Sequence, residues 1–211
     1  KEWVVLGAHY DTRKRADQDP IHPDQPVIGA NDAASGVAVL LELARVLDVN
    51  AAGKNVALVF FDAEDNGDLD GWEWTVGADY FAAHIGQTLP TTPSAVIVLD
   101  MIGDADLNIY YEKNSDPALS AQIWGVAKTL GFDKQFIAQP RWSMEDDHTP
   151  FLRRGIRAVD VIDFDYPDWH RTTDTARAAH LHPRCPHRAD TPCGLTHMCG
   201  DSRFPAALGG A

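Results

Sequence analysis

The stretch NVALVFFDAEDNGD, residues 55–68, places an almost wholly apolar run directly before a group of four carboxylates. A short apolar run without polar alternation is typical of a strand that is buried on both faces of a sheet. The carboxylates that follow it, Asp62, Glu64, Asp65 and Asp68, repel one another unless positive charge compensates them. The stretch therefore predicts a buried strand that ends beside a cation.

The alternation of strand and helix continues along the chain in both directions. Strands are predicted over residues 3–8, 94–100, 107–111 and 157–163, and helices over residues 34–48, 76–85, 117–131 and 148–155. Apolar strands separated by helices indicate an α/β sheet with helices on both faces. The connecting segments 12–29 and 64–75 are long, and long ordered loops in a compact domain are usually functional.

Composition and charge exclude several classes of partner. The 211 residues carry 31 acidic and 18 basic side chains, and the resulting net charge of −13 disfavours nucleic acid and anionic membranes. No apolar run approaches the ~20 residues that a membrane-spanning helix needs, so no membrane span is expected in this chain. The chain begins with KEWVVLG, and no signal peptide is visible in it. The sequence does not specify an oligomeric state.

Residues 176–211 differ in composition from everything before them. They contain four His, three Cys and four Pro, without apolar periodicity. Cys185, Cys193 and Cys199 lack the paired C-x-x-C spacing that marks a structural zinc site. We therefore expect one catalytic domain over residues 1–175, followed by an atypical tail over 176–211 that is disordered or non-native.

Histidines and carboxylates follow the carboxyl ends of several predicted strands. His9 and Asp11 follow the first strand, Glu64 and Asp65 the second, Asp100 the third and His170 the last, and Asp32 precedes a helix in the same layer. In open α/β sheets, ligands bind outside the carboxyl ends of the strands. Imidazoles and carboxylates without a thiolate suit catalytic zinc, with manganese or cobalt as alternatives.

Some of these residues also have an ordinary structural interpretation. Taken alone, Asp32 is better explained as the cap of the helix that begins near Ala34, and His9 as a hydrogen-bonded core histidine. Taken together, the coincidence of so many ligand types at strand ends favours a metal site.

The adjacent residues Glu64 and Asp65 suggest two different roles, one as a metal ligand and one as a base. Adjacent side chains in an extended segment point in roughly opposite directions, so one can bind a metal while the other faces a substrate. A carboxylate beside a metal-activated water is the general base that hydrolysis needs.

Six ordered motifs resemble metallopeptidase family twenty-eight, which contains zinc aminopeptidases and the related glutaminyl cyclases. They are GAHYDT (7–12), GANDAASGVAVLLELAR (29–45), FFDAEDNG (60–67), LDMIGD (99–104), EDDHTPFLRRGI (145–156) and YPDWHRTTDT (166–175). The resemblance implies a three-layer α/β/α fold with a central mixed, largely parallel sheet, here without the segment that usually precedes the first motif. It is compatible with a secreted or periplasmic location.

For the peptidases, the resemblance implies two zinc ions. His9 and Asp100 would hold one, Asp65 and His170 the other, and Asp32 would bridge them. Glu64 would be the general base, and Asp11 would orient His9.

For the cyclases, the resemblance implies a single zinc on Asp32, Asp65 and His170. Glu64 would move a proton from the substrate amine, and Asp100 and Asp146 would form a hydrogen-bonding network around it. His148 belongs to the motif around Asp146, and Trp169 precedes the ligand His170. Under either reaction, the region around Tyr166 is expected to face the substrate, and Trp72, Trp74 and Trp169 are candidates for aromatic surface there that packing explains equally well.

The preferred hypothesis is an aminopeptidase that acts on peptides with a free amino terminus, through a zinc pair with Glu64 as general base. The first alternative is a glutaminyl-peptide cyclotransferase with one zinc, which forms amino-terminal pyroglutamate. The second is a non-catalytic metal-binding module of the same fold.

Overall fold

A parallel sheet lies at the centre of the computed structural model, which describes residues 1–179. In chain order the strands are β1 (Trp3–His9), β2 (Asn55–Phe61), β3 (Ala95–Asp100), β4 (Ile109–Tyr111), β5 (Phe136–Pro140) and β6 (Ala158–Ile162). The helices are α1 (Ala34–Val46), α2 (Val49–Ala52), α3 (Val76–Ala83), α4 (Ile85–Thr88), α5 (Pro117–Thr129) and α6 (Thr149–Leu152). The predicted strands and longer helices are thus confirmed, with ends shifted by a few residues.

The main sheet has the strand order β2-β1-β3-β6, and β4 pairs with β5 in a separate ribbon. Every pairing within residues 1–179 is parallel, which confirms the largely parallel sheet and leaves no antiparallel pair among them. The strand that follows β1 in the chain, β2, lies on one side of β1, and the next strand, β3, lies on the other side. In doubly wound sheets, a crevice forms at such a reversal, outside the carboxyl ends of the two strands.

Apolar side chains cover both faces of the sheet and produce three layers. Val4, Leu6 and Ala8 of β1 pack with residues of α1 and α5, whereas Val5 packs on the opposite face with residues of α3 and α6. This alternation follows from the two-residue period of a strand. His9 and Asp100 lie at the carboxyl ends of their strands, whereas Asp160 is a buried polar residue within β6.

The sequence pattern does not predict β5. Its residues become exposed after Phe136, and its main-chain partner is the three-residue strand β4 rather than the central sheet. A short, half-exposed strand has neither the apolar run nor the strict alternation by which strands are recognised in a sequence. No helix within residues 1–179 is long and apolar enough to cross a membrane.

Candidate metal centre and active-site cavity

The candidate site lies at the reversal of the strand order. His9 is the last residue of β1 and Asp100 the last residue of β3, and these two strands are hydrogen-bonded neighbours. Both side chains are almost fully buried. The fold therefore brings together two residues that are far apart in the sequence, as expected from the strand ends.

The first cluster contains His9, Asp32 and Asp100. His9 Nε2 lies 3.1 Å from an Asp32 oxygen and 3.1 Å from an Asp100 oxygen. One ligand atom of each residue lies within 4.8 Å of the others, a spacing at which they could hold one metal ion.

The second cluster contains Asp32, Asp65 and His170. His170 Nε2 lies 2.8 Å from Asp65 Oδ1 and 3.8 Å from Asp32 Oδ2, and the ligand atoms again lie within 4.8 Å of one another. Asp65 Oδ2 is buried and has no hydrogen-bond partner among the described residues. A buried carboxylate oxygen without a donor fits a metal ligand, because leaving it unpaired is otherwise costly.

Asp32 lies between the two clusters, with Oδ1 toward His9 and Oδ2 toward His170. It does not cap the following helix: the N-cap of α1 is Ala33, without a side-chain cap hydrogen bond, so the cap interpretation of Asp32 is wrong. The backbone amides of Asn31 and Asp32 instead donate to the carboxylate of Asp174, over 2.9 and 3.2 Å. Asp174 thereby fixes the loop that carries Asp32.

Each histidine has a carboxylate on the side away from the cluster. His9 Nδ1 lies 3.6 Å from Asp11 Oδ1, and His170 Nδ1 lies 3.5 Å from Asp17 Oδ1. Neither distance is a hydrogen bond, and both Nδ1 atoms lack a hydrogen-bond partner among residues 1–179. A carboxylate on this side favours the proton on Nδ1, which would leave the Nε2 lone pair for a metal. Asp11 was expected in this position from the sequence, whereas Asp17 was not.

Arg13 is a second residue that the sequence analysis missed. Its side chain is 3% exposed, and Nη1 donates to the backbone oxygens of Asp65 and Gly67, each over 2.9 Å. It also forms a two-point ion pair with Asp17, four residues later. The sequence offered one indication of this role, the opposite charges of Arg13 and Asp17 four residues apart in a long loop. A solvent-exposed ion pair would give the same sequence pattern.

The electrostatics of the cluster favour a cation. Burial raises the pKa of Asp100 to about 7, and burial together with the nearby Asp32 raises the pKa of Asp65 well above its usual range. Burial lowers the pKa of His170 to about 4, so its imidazole is neutral near pH 7 and can act as a ligand. A metal ion would supply the positive charge that these buried carboxylates lack.

Glu64 and Asp65 lie in the turn after β2 rather than in an extended segment, and both line the cavity. Their backbone amides donate to the two oxygens of Asp11, over 3.0 and 3.2 Å, which fixes the turn after β2. Asp65 approaches His170, and Glu64 lines the cavity beside the clusters. Burial, with smaller contributions from Asp146 and other neighbouring carboxylates, raises the pKa of Glu64 well above its usual range. A raised pKa suits a group that must first accept and then return a proton.

The cavity has a volume of about 270 Å³, with a polar floor and largely apolar walls. The floor contains Asp32, Glu64, Asp65, Asp100, Asp146 and His170, and the apolar walls contain Trp74, Met101, Trp142, Met144, Phe164 and Trp169. Trp74 and Trp169 were expected as wall residues, whereas Trp72 lies outside the lining and is 53% exposed. Polar groups converging within a mostly apolar cavity are typical of a small-molecule or substrate site.

Tyr166 and His148 lie behind the cavity wall. Tyr166 donates its hydroxyl hydrogen to Asp174 over 2.8 Å, and so supports the Asp32 loop without lining the cavity. His148 contacts Glu112 over 3.1 Å and is fully buried.

The sequence of the chain matches a known protein family. The model of Peptidase family M28 matches residues 1–189. The chain belongs to this family. The resemblance predicted from the six motifs is thereby confirmed.

The family M28 relatives carry two kinds of name. The chain is 27% identical to a bovine (Bos taurus) glutaminyl-peptide cyclotransferase-like protein, over 87% of this chain and 53% of that protein. It is 30% identical to aminopeptidase YwaD of Bacillus subtilis, over 75% of this chain and 31% of that protein. The chain thus spans about half the length of the first of these relatives, and less of the second.

The fold agrees with that of a solved exopeptidase structure. A Zn-dependent exopeptidase from Parabacteroides distasonis superimposes with a TM-score of 0.77 at 27% identity, over 98% of this chain and 72% of that one. This likeness confirms the predicted fold class and supports zinc as the metal. The donor set of the two clusters, imidazole and carboxylate, also fits zinc.

The M28 match extends past residue 175, where we placed the end of the catalytic domain. Most of the predicted tail, from residue 180 to residue 211, lies outside the described residues. The disordered or non-native character of residues 176–211 therefore stays a prediction.

Proposed function

We propose that this chain is the catalytic domain of a zinc-dependent aminopeptidase, which removes the first residue from peptides with a free amino terminus. The observation that carries the proposal is the position of Asp32, whose two oxygens face the imidazoles of two separate ligand clusters. Two metal sites that share one carboxylate suit the hydrolysis of an amide by a co-catalytic pair. His9 and Asp100 would hold one zinc, Asp65 and His170 the other, and Asp32 both.

Zinc bound there supplies Lewis acidity, which polarises the scissile carbonyl and makes water more acidic. Glu64 lines the cavity beside both clusters and acts as the base. It accepts a proton from the attacking water as the oxygen bonds to the carbonyl carbon. It then returns that proton to the leaving nitrogen as the C–N bond breaks, which releases a free amino acid and a shortened peptide.

The remaining cavity residues position the substrate. Asp146 offers a buried carboxylate toward the cavity, where it can accept hydrogen bonds from the substrate's α-ammonium group. Trp142, Phe164 and Trp169 offer apolar and aromatic surface to the first side chain.

A glutaminyl-peptide cyclotransferase is the second candidate. It is favoured by Asp146, which lines the cavity together with Asp100 and Glu64, and by the cyclotransferase names of several relatives. In this reaction the α-amine attacks the side-chain amide carbon of an amino-terminal glutamine, and ammonia leaves. Glu64 would carry the proton from the amine to the ammonia.

Mass spectrometry of one substrate separates the two candidates. A glutaminyl arylamide is incubated with the zinc-loaded protein, and the Glu64→Gln variant serves as the inactive control. Free arylamine plus glutamine is the result expected of an aminopeptidase. A pyroglutamyl arylamide with loss of ammonia would overturn the proposal in favour of the cyclotransferase. Leucyl and phenylalanyl arylamides extend the test to other first residues.

A further inference from the structure

A second group of buried ionisable residues lies apart from the ligands of the main centre. Asp160 is in β6, and Asp146 and His148 immediately precede α6, yet ligand atoms of all three lie within 4.8 Å of one another. None of the three side chains is more than 3% exposed. This group, Asp146, His148 and Asp160, shares no residue with the clusters around Asp32.

The hydrogen bonding of Glu112 determines which nitrogen of His148 carries the proton. The Glu112 carboxylate accepts hydrogen bonds from the backbone amides of Asn114, Ser115 and Met144 and from the Ser115 hydroxyl. A carboxylate that accepts so many hydrogen bonds is held in its ionised form. His148 Nε2, 3.1 Å from Glu112 Oε2, therefore donates its hydrogen to it.

The opposite nitrogen of His148 is consequently left with a lone pair. Nδ1 is buried, has no hydrogen-bond partner among the described residues and lies 3.9 Å from Asp160 Oδ2. His148 thus donates from Nε2 to one carboxylate, while Nδ1 faces another. This is the arrangement found in carboxylate–histidine–metal triads.

Asp160 adds two more orphaned acceptors. Both of its carboxylate oxygens are buried without a hydrogen-bond partner within residues 1–179, as are both oxygens of Asp147. The single imidazole of His148 thus lies among three buried carboxyl groups, those of Glu112, Asp146 and Asp160. Buried carboxylates without donors or a counter-charge are strongly destabilising, so this region lacks a positive charge.

We propose that His148 Nδ1, Asp146 and Asp160 bind a divalent cation of the zinc or manganese class, separate from the ions of the main centre. One imidazole and two carboxylates are a ligand set that such cations accept. The ion links β6 to the segment before α6, and this segment carries Asp146 into the cavity lining. The ion would take one carboxylate oxygen of Asp146 and leave the other to the cavity, and its role is structural, since His148 and Asp160 lie outside that lining.

Metal content after zinc loading tests the site. The full chain is stripped with a chelator, loaded with Zn²⁺ alone, passed through gel filtration and analysed by elemental mass spectrometry. Asp160→Asn and His148→Gln should each bind about one zinc equivalent per chain less than the unsubstituted protein. The Cys-containing tail is the same in all variants, so any zinc bound there cancels in the comparison.

Asp163→Asn is the matched control. Asp163 is also a fully buried carboxylate, just beyond the same strand, but its oxygens accept hydrogen bonds from the amides of Asn108 and Asp165. Its variant should bind as much zinc as the unsubstituted protein. His170→Ala should lose zinc from the main centre, and the double variant with Asp160→Asn should show both losses.

The alternative is that Asp146 and Asp160 share a proton and need no cation. In that case Asp160→Asn and His148→Gln would keep the full zinc content, and the proposal would be overturned. Circular dichroism establishes that each variant is folded, and two independent ligand variants keep the test decisive if one of them does not fold. Since the readout is bound metal, the result is independent of which reaction the protein catalyses.

Discussion

Arg13 holds both carboxylate oxygens of Asp17, with Nε 3.0 Å from Oδ1 and Nη2 2.9 Å from Oδ2. Asp17 in turn lies 3.5 Å from His170 Nδ1, so a buried arginine orients a candidate metal ligand through a carboxylate. The same guanidinium donates to the backbone oxygen of Asp65, the neighbour of His170 in the second cluster. One side chain therefore supports two ligands of one metal site.

The first prediction concerns this support. Arg13→Lys keeps the charge but loses the planar, two-point contact, because an ammonium group cannot donate to all these acceptors at once. Outer contacts of this kind typically change metal affinity by roughly 10–100-fold, and we expect a loss of that size in zinc affinity, measured by competition with a chelator. Arg15→Lys is the control, since Arg15 pairs with Asp70 at the surface. Equal zinc affinity in both variants would contradict the role of Arg13.

The second prediction concerns the proton carrier. Glu64→Gln should reduce kcat by roughly 10²–10⁴-fold, because the amide cannot accept the proton from water. Zinc content should stay unchanged, since Glu64 is in neither cluster. Asp62→Asn, an exposed carboxylate of the same turn, should retain nearly full activity. Retention of most activity by Glu64→Gln would remove this residue from the mechanism.

The third prediction concerns the sharing of Asp32. If both clusters bind zinc, Asp32→Asn should weaken both sites, whereas His9→Ala and His170→Ala should each empty mainly one. Zinc titration monitored by calorimetry would then show two fewer equivalents for the first variant and one fewer for each of the others. A single-zinc centre gives a different pattern, in which His9→Ala leaves the stoichiometry unchanged.

The strand ends made much of this site predictable from the sequence. His9 and Asp100 terminate neighbouring parallel strands, so their proximity follows from the fold class alone. The different roles predicted for Glu64 and Asp65 assumed an extended segment, whereas the structure places both in the turn after β2. The resemblance of the motifs then assigned roles that periodicity could not assign.

The supporting residues were not predictable in the same way. Arg13, Asp17 and Asp174 lie in irregular segments, where no period relates sequence position to direction in space. Asp32 shows the limit of local reasoning: an Asp before a helix is often a cap, but here it makes no cap hydrogen bond to α1 and its oxygens face His9 and His170. Trp142 and Phe164 enter the cavity wall for equally non-local reasons.

The last prediction concerns how closely α1 packs on the strands that carry the site. A Cβ on Gly36 would lie 2.3 Å from the backbone oxygen of Leu99 and 3.0 Å from Ala8 Cβ. A backbone oxygen of a central strand cannot move aside easily, so Gly36→Ala must displace α1. We expect this overpacking to lower the free energy of unfolding by roughly 1–3 kcal/mol, despite the better helix propensity of alanine.

Gly125→Ala provides the matched control in the other long helix, α5. A Cβ on Gly125 would meet no atom within 4 Å, so this variant should gain about 0.5–1 kcal/mol from helix propensity alone. Urea unfolding of both variants measures the difference. Because Asp32 lies just before α1, Gly36→Ala should also weaken zinc binding, whereas Gly125→Ala should not. If Gly36→Ala were as stable as Gly125→Ala, the close approach of α1 to β3 would not restrict the residue at position 36, and this prediction would be wrong.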